Sequence, residues 1–518
     1  MNQEEIKRRI YKNSISNYIF LILRMGLGVI LFRQMFNSLT DEEFGFWGTL
    51  WSVIGYGILL DFGFGFTAQK RVAELSALKK WDDLSRVLST IFFCYTAIAV
   101  VVIVAGVLLS PYIIELFAIK DPANKPLFAS VLKVFFCGMG LAFPMGMFPE
   151  MLKGQQRISL ANYILLAGFL SSFTLVLMAL HFHWGLQAML IITLGCSTLA
   201  ELVCGLFALT SMPQVKIKLS LFSRGMVQNT MRFSLFAYVT TLTTVILTRT
   251  DQIVLGTMLA LSAVKIYQAG SKIAEMFSGF ALQIPETLSP AAAHLHAKGD
   301  KDFLRDLLVN GNRFSVMIAT PLYLLAAFYM DQLLWVLTGR PSNPQTFWTG
   351  EVLLLWGYTT ILTQSVSKRI FMMTGHERRL MWLGMGEALL NLALSIGLLH
   401  YYRNVVCVAI GSLVATFIFG WFSIWPWAAR EANLTGWCLA RTVLFPTWLA
   451  CLPIVALILF GRHLTTPDFG RSIYALLTQG VVVSVIAALC LWRIALRPGE
   501  REKFGAALIK LFNRTTPA

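Results

Sequence analysis

The stretch Leu59–Leu75 reads LLDFGFGFTAQKRVAEL. It closes a long apolar run with a carboxylate, Asp61, sets glycines at Gly63 and Gly65, and then turns basic at Lys70 and Arg71. Runs of this kind, each followed by a short polar or basic connection, recur along the whole chain, and that alternation decides the fold. A helix of roughly 20 apolar residues spans the hydrocarbon core of a bilayer. The composition agrees: 56% of the 518 residues are hydrophobic and 14% are charged, whereas soluble domains carry about 25% charged residues. The mean hydropathy is +0.66. The expected class is therefore all-α, a polytopic membrane protein.

Fourteen spans are expected, near 14–36, 44–66, 88–110, 127–149, 158–180, 184–208, 234–257, 264–291, 315–337, 348–373, 379–400, 404–427, 441–461 and 471–496. Charge supports the count. Of 43 Lys and Arg residues, 29 fall on the side of the N-terminus and 7, from Lys120 to Arg471, on the other. Basic loops stay in the cytoplasm, so this bias places both termini there. It also reads the net charge of +16 as orientation and contact with anionic lipid rather than nucleic-acid binding. The N-terminal run lacks a small-residue cleavage site and is too long for a signal peptide, so it is expected to stay as the first helix. No outer loop exceeds about 17 residues by these boundaries, which leaves no room outside for a catalytic domain and argues against an enzyme. The inner connections near 67–87, 209–233 and 292–314 read as amphipathic surface helices.

The eight cysteines lie in or beside apolar runs with no CxxC, and read as small buried hydrophobes. His181 with His183, and His294 with His296, are paired without a third ligand nearby, so no metal is expected.

The chain repeats itself. Shifted by 220, Ala73, Leu75, Ala77, Asp82, Leu84 and Leu88 land on Ala293, Leu295, Ala297, Asp302, Leu304 and Leu308. Shifted by 221, Gly154 and Arg157 of LKGQQR land on Gly375 and Arg378 of MTGHER. Two pseudo-symmetric six-helix lobes are therefore expected, helices 1–6 over 1–220 and helices 7–12 over 221–435, with helices 13–14 and a tail appended over 436–518. Six is even, so the halves run parallel, and transporters built this way bind substrate between them near the midplane.

D-x-G-x-G at the end of the second span, a basic helix after it, and GQQR between the fourth and fifth spans together resemble the polysaccharide (Wzx-type, O-antigen) flippases. These belong to the multidrug/oligosaccharidyl-lipid/polysaccharide exporter superfamily. The resemblance covers about residues 10–430. It implies two lobes around a central cavity, alternating access, and export of a polyprenyl-diphosphate-linked glycan across a bacterial cytoplasmic (inner) membrane for O-antigen or lipopolysaccharide synthesis. The added pair of helices is similar in number to the lipid II flippases and departs from the twelve-helix pattern.

Charge in hydrocarbon costs roughly 2.5–3.5 kcal/mol per residue on insertion scales, so the groups that persist there face a cavity or a partner. Arg24 sits about 15 Å into the first span and shares a face with Asn17 and Gly28. It reads as a cavity cation or an interhelix hydrogen-bond donor. In the seventh span Thr241, Thr244, Thr248 and Gln252 mark a polar face beside Arg249 and Asp251; in the eighth, Lys272 stands one turn from Glu275. This set reads either as a neutralised ion-pair cluster or as a cationic site for a diphosphate, which the planar guanidinium of arginine binds bidentately. Arg24, Arg249 and Lys272 are the substrate-binding candidates; Asp61, Asp251 and Glu275 are candidates for coupling or gating. Glu201, Glu286 and Glu387 are proton or sodium candidates, each also readable as a buried hydrogen-bonded carboxylate. Asp61 itself reads as the acceptor in a bend that the glycines permit, as a partner of Lys70 or Arg71, or as a gate. No cofactor is expected beyond a coupling Na+ or H+. The expected partners are the lipid-linked glycan, membrane lipids and glycan polymerases, around a monomer. The rival readings are a cation-coupled multidrug antiporter of the same superfamily, and a scaffold or enzyme of envelope glycan assembly.

Overall fold

In hydrocarbon a backbone N–H or C=O finds no water, so an apolar segment satisfies its own polar groups as a helix. The computed structural model describes residues 3–62, 64–225, 235–283, 285, 288, 292, 296, 301–464 and 473–502. Within them every expected span falls on a helix or a broken pair of helices, and no strand occurs. Side chains pointing outward are apolar: Val100, Val101, Val104, Leu108 and Leu109 of one helix are all exposed, as they should be where lipid is the solvent.

Among the described residues, seven helices are long and apolar enough to cross a membrane, and nine if two bent pairs each count once. Other expected spans fall on helices that are short or carry charged side chains. Helix α1 (Gln3–Ser38) carries Arg24 and Arg33, and α2 (Asp41–Gly57) has only 17 residues. Helix α9 (Leu235–Met258) carries Arg249 and Asp251, and α10 (Leu261–Ala281) carries Lys265, Lys272 and Glu275.

The chain divides into two compact units, Met1–Gln268 with Leu399–Arg403, and Ala269–Leu398 with Asn404–Ala518. The first contains α1 and α2, a surface helix α3 (Phe64–Ala77), α4 (Trp81–Leu116), α5 (Lys125–Met145), α6 (Met147–Gly154), α7 (Ile158–His181), α8 (Gly185–Thr210), α9 and the start of α10. Helices α4 and α5 meet where side chains vanish. A Cβ at Gly106 would lie 2.1 Å from the Phe136 ring, and one at Gly140 would lie 2.4 Å from Ile103. Close backbone approach of this kind is how membrane helices gain dispersion contacts when burial of apolar surface provides no drive.

The polar contacts of α2 reach beyond residue 220. Ser52 Oγ donates to Gln252 Oε1 at 2.8 Å, and Gln268 Nε2 donates to the same oxygen at 2.9 Å. Lys265, 5% exposed, pairs with Asp41 at 2.9 Å and stands 4.3 Å above the Phe36 ring. The buried ammonium thus sits between a carboxylate and an aromatic face.

Two of the expected surface helices take other forms. After α8, residues 212–218 are irregular and lie along α4, where the backbone N–H groups of Lys216 and Lys218 donate to Ser85 Oγ and Ser89 Oγ at 3.1 and 3.0 Å. Met212 and Val215 are buried beneath. Pro213 has no N–H to give, and hydroxyls on α4 supply the backbone partners instead. In the second unit the basic segment from Lys301 belongs to α11 (Lys301–Phe328), one uninterrupted helix that continues into the ninth span.

That unit continues with α12 (Met330–Thr338), set at 72° to α11, then α13 (Pro344–Thr363), α14 (Ser365–Met373), α15 (Glu377–Tyr402), α16 (Val406–Phe419) and α17 (Trp425–Glu431). The appended helices are α18 (Gly436–Val443), α19 (Phe445–Leu464) and α20 (Ile473–Cys490). Cys451, Ile454, Ile458, Val483 and Ala487 of α19 and α20 form one buried cluster with Tyr329. Beyond α20, Glu500 returns to α11: Arg313, 1% exposed, donates through Nη1 to its Oε1 at 3.0 Å and through Nη2 to its Oε2, and also to the Ala495 carbonyl at 3.1 Å.

Candidate functional site

The first unit contains a half-open cavity of about 950 Å³. This is near the top of the roughly 300–1,000 Å³ typical of ligand sites. Arg24 stands on its wall, exposed to it and 5.8 Å from the Phe20 ring centroid. One turn on, a Cβ at Gly28 would meet nothing within 4 Å. The first helix thus presents a guanidinium to open space rather than locking it between helices. The side chain of Asn17 lies outside the described residues.

The same wall carries Asp61, Glu150 and Glu201. The bend at Asp61 is built differently from its expected form. A 3-10 turn over Ile58–Asp61 ends α2, and Phe62 takes the left-handed conformation at φ 48°. A non-glycine residue therefore carries the turn. Gly65 serves by its missing side chain, since a Cβ there would sit 3.3 Å from Asp61 Oδ1. That oxygen accepts the Gly65 N–H at 3.1 Å and the Tyr95 hydroxyl. Lys70 and Arg71 turn instead to Glu74, at 3.8 and 3.1 Å. Asp61 is thus held by two neutral donors.

Glu150 pairs with Lys153 at 2.6 Å. Glu201 is half-buried, and its Oε2 is a buried atom that meets no hydrogen-bond partner in the protein. Among the described residues Arg24 is the one cation on this wall. Aromatic rings complete it, including Trp47 and Trp51, edge to face at 5.7 Å. Sequence reasoning singled out Arg24, Asp61 and Glu201, but missed Tyr95, Glu150 and the two tryptophans. An isolated tyrosine inside an apolar run gives no signal of which distant carboxylate it will meet.

Arg249 is half-buried against α2, where a Cβ at Gly55 would lie 2.8 Å from its Cγ; it is not among the residues lining this cavity. Asp251, 4% exposed, accepts the Tyr267 hydroxyl. In the second unit Lys272 pairs with Glu275 at 3.6 Å, both sides well exposed. Glu387, 2% exposed, accepts from Lys368 Nζ at 2.8 Å, Thr416 Oγ1 at 2.9 Å and Gln364 Nε2 at 3.1 Å. A carboxylate with a cation and two further donors is a saturated structural group. Glu286 and His294 lie outside the described residues.

The GQQR segment also resolves into packing. Gly154 lets α6 approach α3, since a Cβ would lie 2.5 Å from the Gln69 carbonyl oxygen. Gln155 Nε2 donates to the Ala208 carbonyl at 3.1 Å, and Arg157 Nη1 to Ser211 Oγ at 2.6 Å, both at the end of α8.

Similar folds are found among solved structures. The lipid II flippase MurJ in an inward closed conformation superposes with a TM-score of 0.71 at 13% identity, covering 93% of this chain and 98% of that one. An inward-facing multidrug resistance MATE transporter of the MOP superfamily gives 0.66 at 14%, covering 79% and 94%. A MOP superfamily transporter from Pyrococcus furiosus, described as having a binding pocket of reverse polarity, gives 0.56 at 15%, covering 82% and 96%. Such low identities carry the fold alone: this chain has the architecture of the MOP transporters. No curated protein matches it in sequence. The family model for polysaccharide biosynthesis proteins, however, matches residues 10–296. That is more than half of the length, and the chain belongs to the polysaccharide biosynthesis protein family.

Proposed function

We propose that this protein is a flippase that moves a polyprenyl-diphosphate-linked oligosaccharide across the bacterial cytoplasmic membrane, with both termini inside. The observation that carries this reading is the cavity of about 950 Å³ with Arg24 on its wall, in a membrane protein of a polysaccharide-synthesis family. A guanidinium fits a phosphate in two parallel hydrogen bonds. In a partly dry cavity that pairing is stronger than it is in water. Arg249 and Lys272 would meet the diphosphate along its path. Two lobes, 1–220 and 221–435, would rock to expose the cavity inward and then outward, with Asp61, Asp251 and Glu275 as coupling or gating groups for Na+ or H+. Helices 13–14 and the tail form a third segment, and a glycan polymerase would receive the product.

Reconstitution in vesicles with a fluorescent lipid-linked glycan tests the reading. Arg24→Ala should abolish translocation with insertion retained, and Arg24→Lys should retain part of it, because a point charge replaces a planar fork. Wild-type rates in Arg24→Ala and Arg249→Ala would reject it. One observation favours the rival antiporter: three carboxylates and several aromatic rings line a cavity with a single cation. That rival requires gradient-driven efflux of lipophilic cations by the same vesicles.

A further inference from the structure

We propose that the segment after α8, residues 212–224, is a docking surface for anionic phospholipid. The inference concerns the bilayer rather than the transported substrate, and stands apart from the flippase reading. It begins from where the segment lies. The backbone N–H groups of Lys216, Lys218 and Ser223 donate to Ser85 Oγ, Ser89 Oγ and Thr90 Oγ1 of α4 at 3.1, 3.0 and 3.1 Å. Ser89 Oγ donates in turn to the Lys216 carbonyl at 3.3 Å. Ser89 and Thr90 stand eleven residues before Val100 and Val101, about three turns, and so on the same face of the helix. That face is the exposed, apolar one. The segment therefore covers the lipid-facing side of α4 near its start. From Thr90 to Leu116, still exposed at the far end, the helix rises about 39 Å. That length lies between the ~30 Å hydrocarbon core and the roughly 40–45 Å of the whole bilayer, so Thr90 falls at the level of the headgroups.

What the segment presents there suits an acidic lipid. Lys216, Lys218 and Arg224 are exposed, as is Arg86, which follows Ser85 on α4. These four make no ion pair among the described residues, unlike Lys70, Arg71 and Lys153. Asp82 and Asp83, exposed at the first turn of α4, stand about 5 Å further from the hydrocarbon than Arg86. Leu219 and Phe222, 68% and 39% exposed, lie toward the Thr90 end of the segment, deeper than Lys216. Cations at headgroup level with apolar side chains below them are the pattern of an interfacial anchor. The α4 hydroxyls fit the same placement, because irregular backbone close to hydrocarbon must find its partners within the protein. Free phosphate would use the cations alone and leave Leu219 and Phe222 without a role. Each cation near an anionic leaflet strengthens binding by about fivefold.

The test uses the full chain in vesicles of phosphatidylcholine and phosphatidylglycerol, one or the other carrying a diazirine on its acyl chain. Irradiation followed by mass spectrometry of peptic fragments maps the labelled residues. At equal mole fraction the fragment holding Leu219 and Phe222 should take the phosphatidylglycerol label about tenfold more than the phosphatidylcholine label. The fragment holding Val100 and Val104 should take both alike and serves as the reference within each preparation. Lys216→Gln with Lys218→Gln should lower the preference several-fold, and arginine at both positions should retain it. Soluble glycerol phosphate should leave the labelling unchanged; displacement by it would assign the cations to a free phosphate and overturn the proposal. Equal labelling by the two lipids in the wild type, or an unchanged preference in the glutamine variant, would overturn it as well. Absence of label from the segment would do the same, by showing that water or another protein faces it.

Discussion

Replacing Glu500 by Gln probes the contact that ties the C-terminal segment to α11. In the native protein Glu500 accepts from Nη1 of Arg313 at 3.0 Å, from Nη2 of the same guanidinium, and from the Arg497 amide at 2.8 Å. Arg313 is 1% exposed, and its only other described acceptor is the Ala495 carbonyl at 3.1 Å. The substitution removes the negative charge and leaves a guanidinium buried with amide and carbonyl dipoles alone. Two charge-assisted hydrogen bonds are worth about 1.5–3 kcal/mol each. Glu500 keeps 22% of its side-chain surface, so water reaches the site and moderates the loss to about 2–4 kcal/mol. Arg313→Met should cost less, about 1–2 kcal/mol, since the freed carboxylate can turn to solvent and no buried charge remains.

The pair also sets a pH dependence. Burial alone would raise the Glu500 pKa, but the Arg313 hydrogen bonds, the Arg497 amide and the two guanidinium charges outweigh it and hold the group below its ordinary 4.5. A carboxyl with a lowered folded value stabilises fully above its unfolded value and loses that contribution as the pH falls through the folded one. The gap between wild type and Glu500→Gln should therefore be constant from pH 8 to about 5.5 and close below pH 4.5. Unfolding of the purified protein in mixed detergent micelles at several pH values measures both quantities. A Glu500→Gln variant within about 0.5 kcal/mol of wild type at pH 7, or more stable than Arg313→Met, would refute the reasoning.

Three further outcomes follow from the geometry. Glu387→Ala should destabilise the second unit by about 3–5 kcal/mol, because it strands the Lys368 ammonium beside Gln364 and Thr416; detergent unfolding reads it, and Lys368→Met in the same background should recover part of the loss. Gly154→Val should cost about 1–3 kcal/mol and lower the yield of inserted protein, because a side chain there collides with the Gln69 carbonyl. Tyr95→Phe removes the hydroxyl that Asp61 accepts while keeping the ring in place; it should slow translocation several-fold in the vesicle assay with unfolding unchanged to within about 1 kcal/mol.

What the sequence determined by itself was the membrane. Twenty-residue apolar runs and the basic bias of alternate loops are local properties, and a bilayer imposes helix on every such run irrespective of its neighbours. That Arg24 would face a cavity or a partner was legible for the same reason, since charge in hydrocarbon is costly. So was the bend at Asp61, though not that Phe62 would carry it.

Tertiary structure decided the partners. The sequence left Asp61 between two basic neighbours and a bend, and those neighbours took Glu74, while a tyrosine 34 positions away supplied the hydroxyl. It left Glu201 and Glu387 as equals, until one was found against a cavity with an unmatched oxygen and the other enclosed by Lys368, Gln364 and Thr416. Hydropathy and spacing record how far along a helix a group lies and which face it shares. They hold no information on which other helix that face will meet, and that meeting separates a charge held for structure from one left open to a substrate.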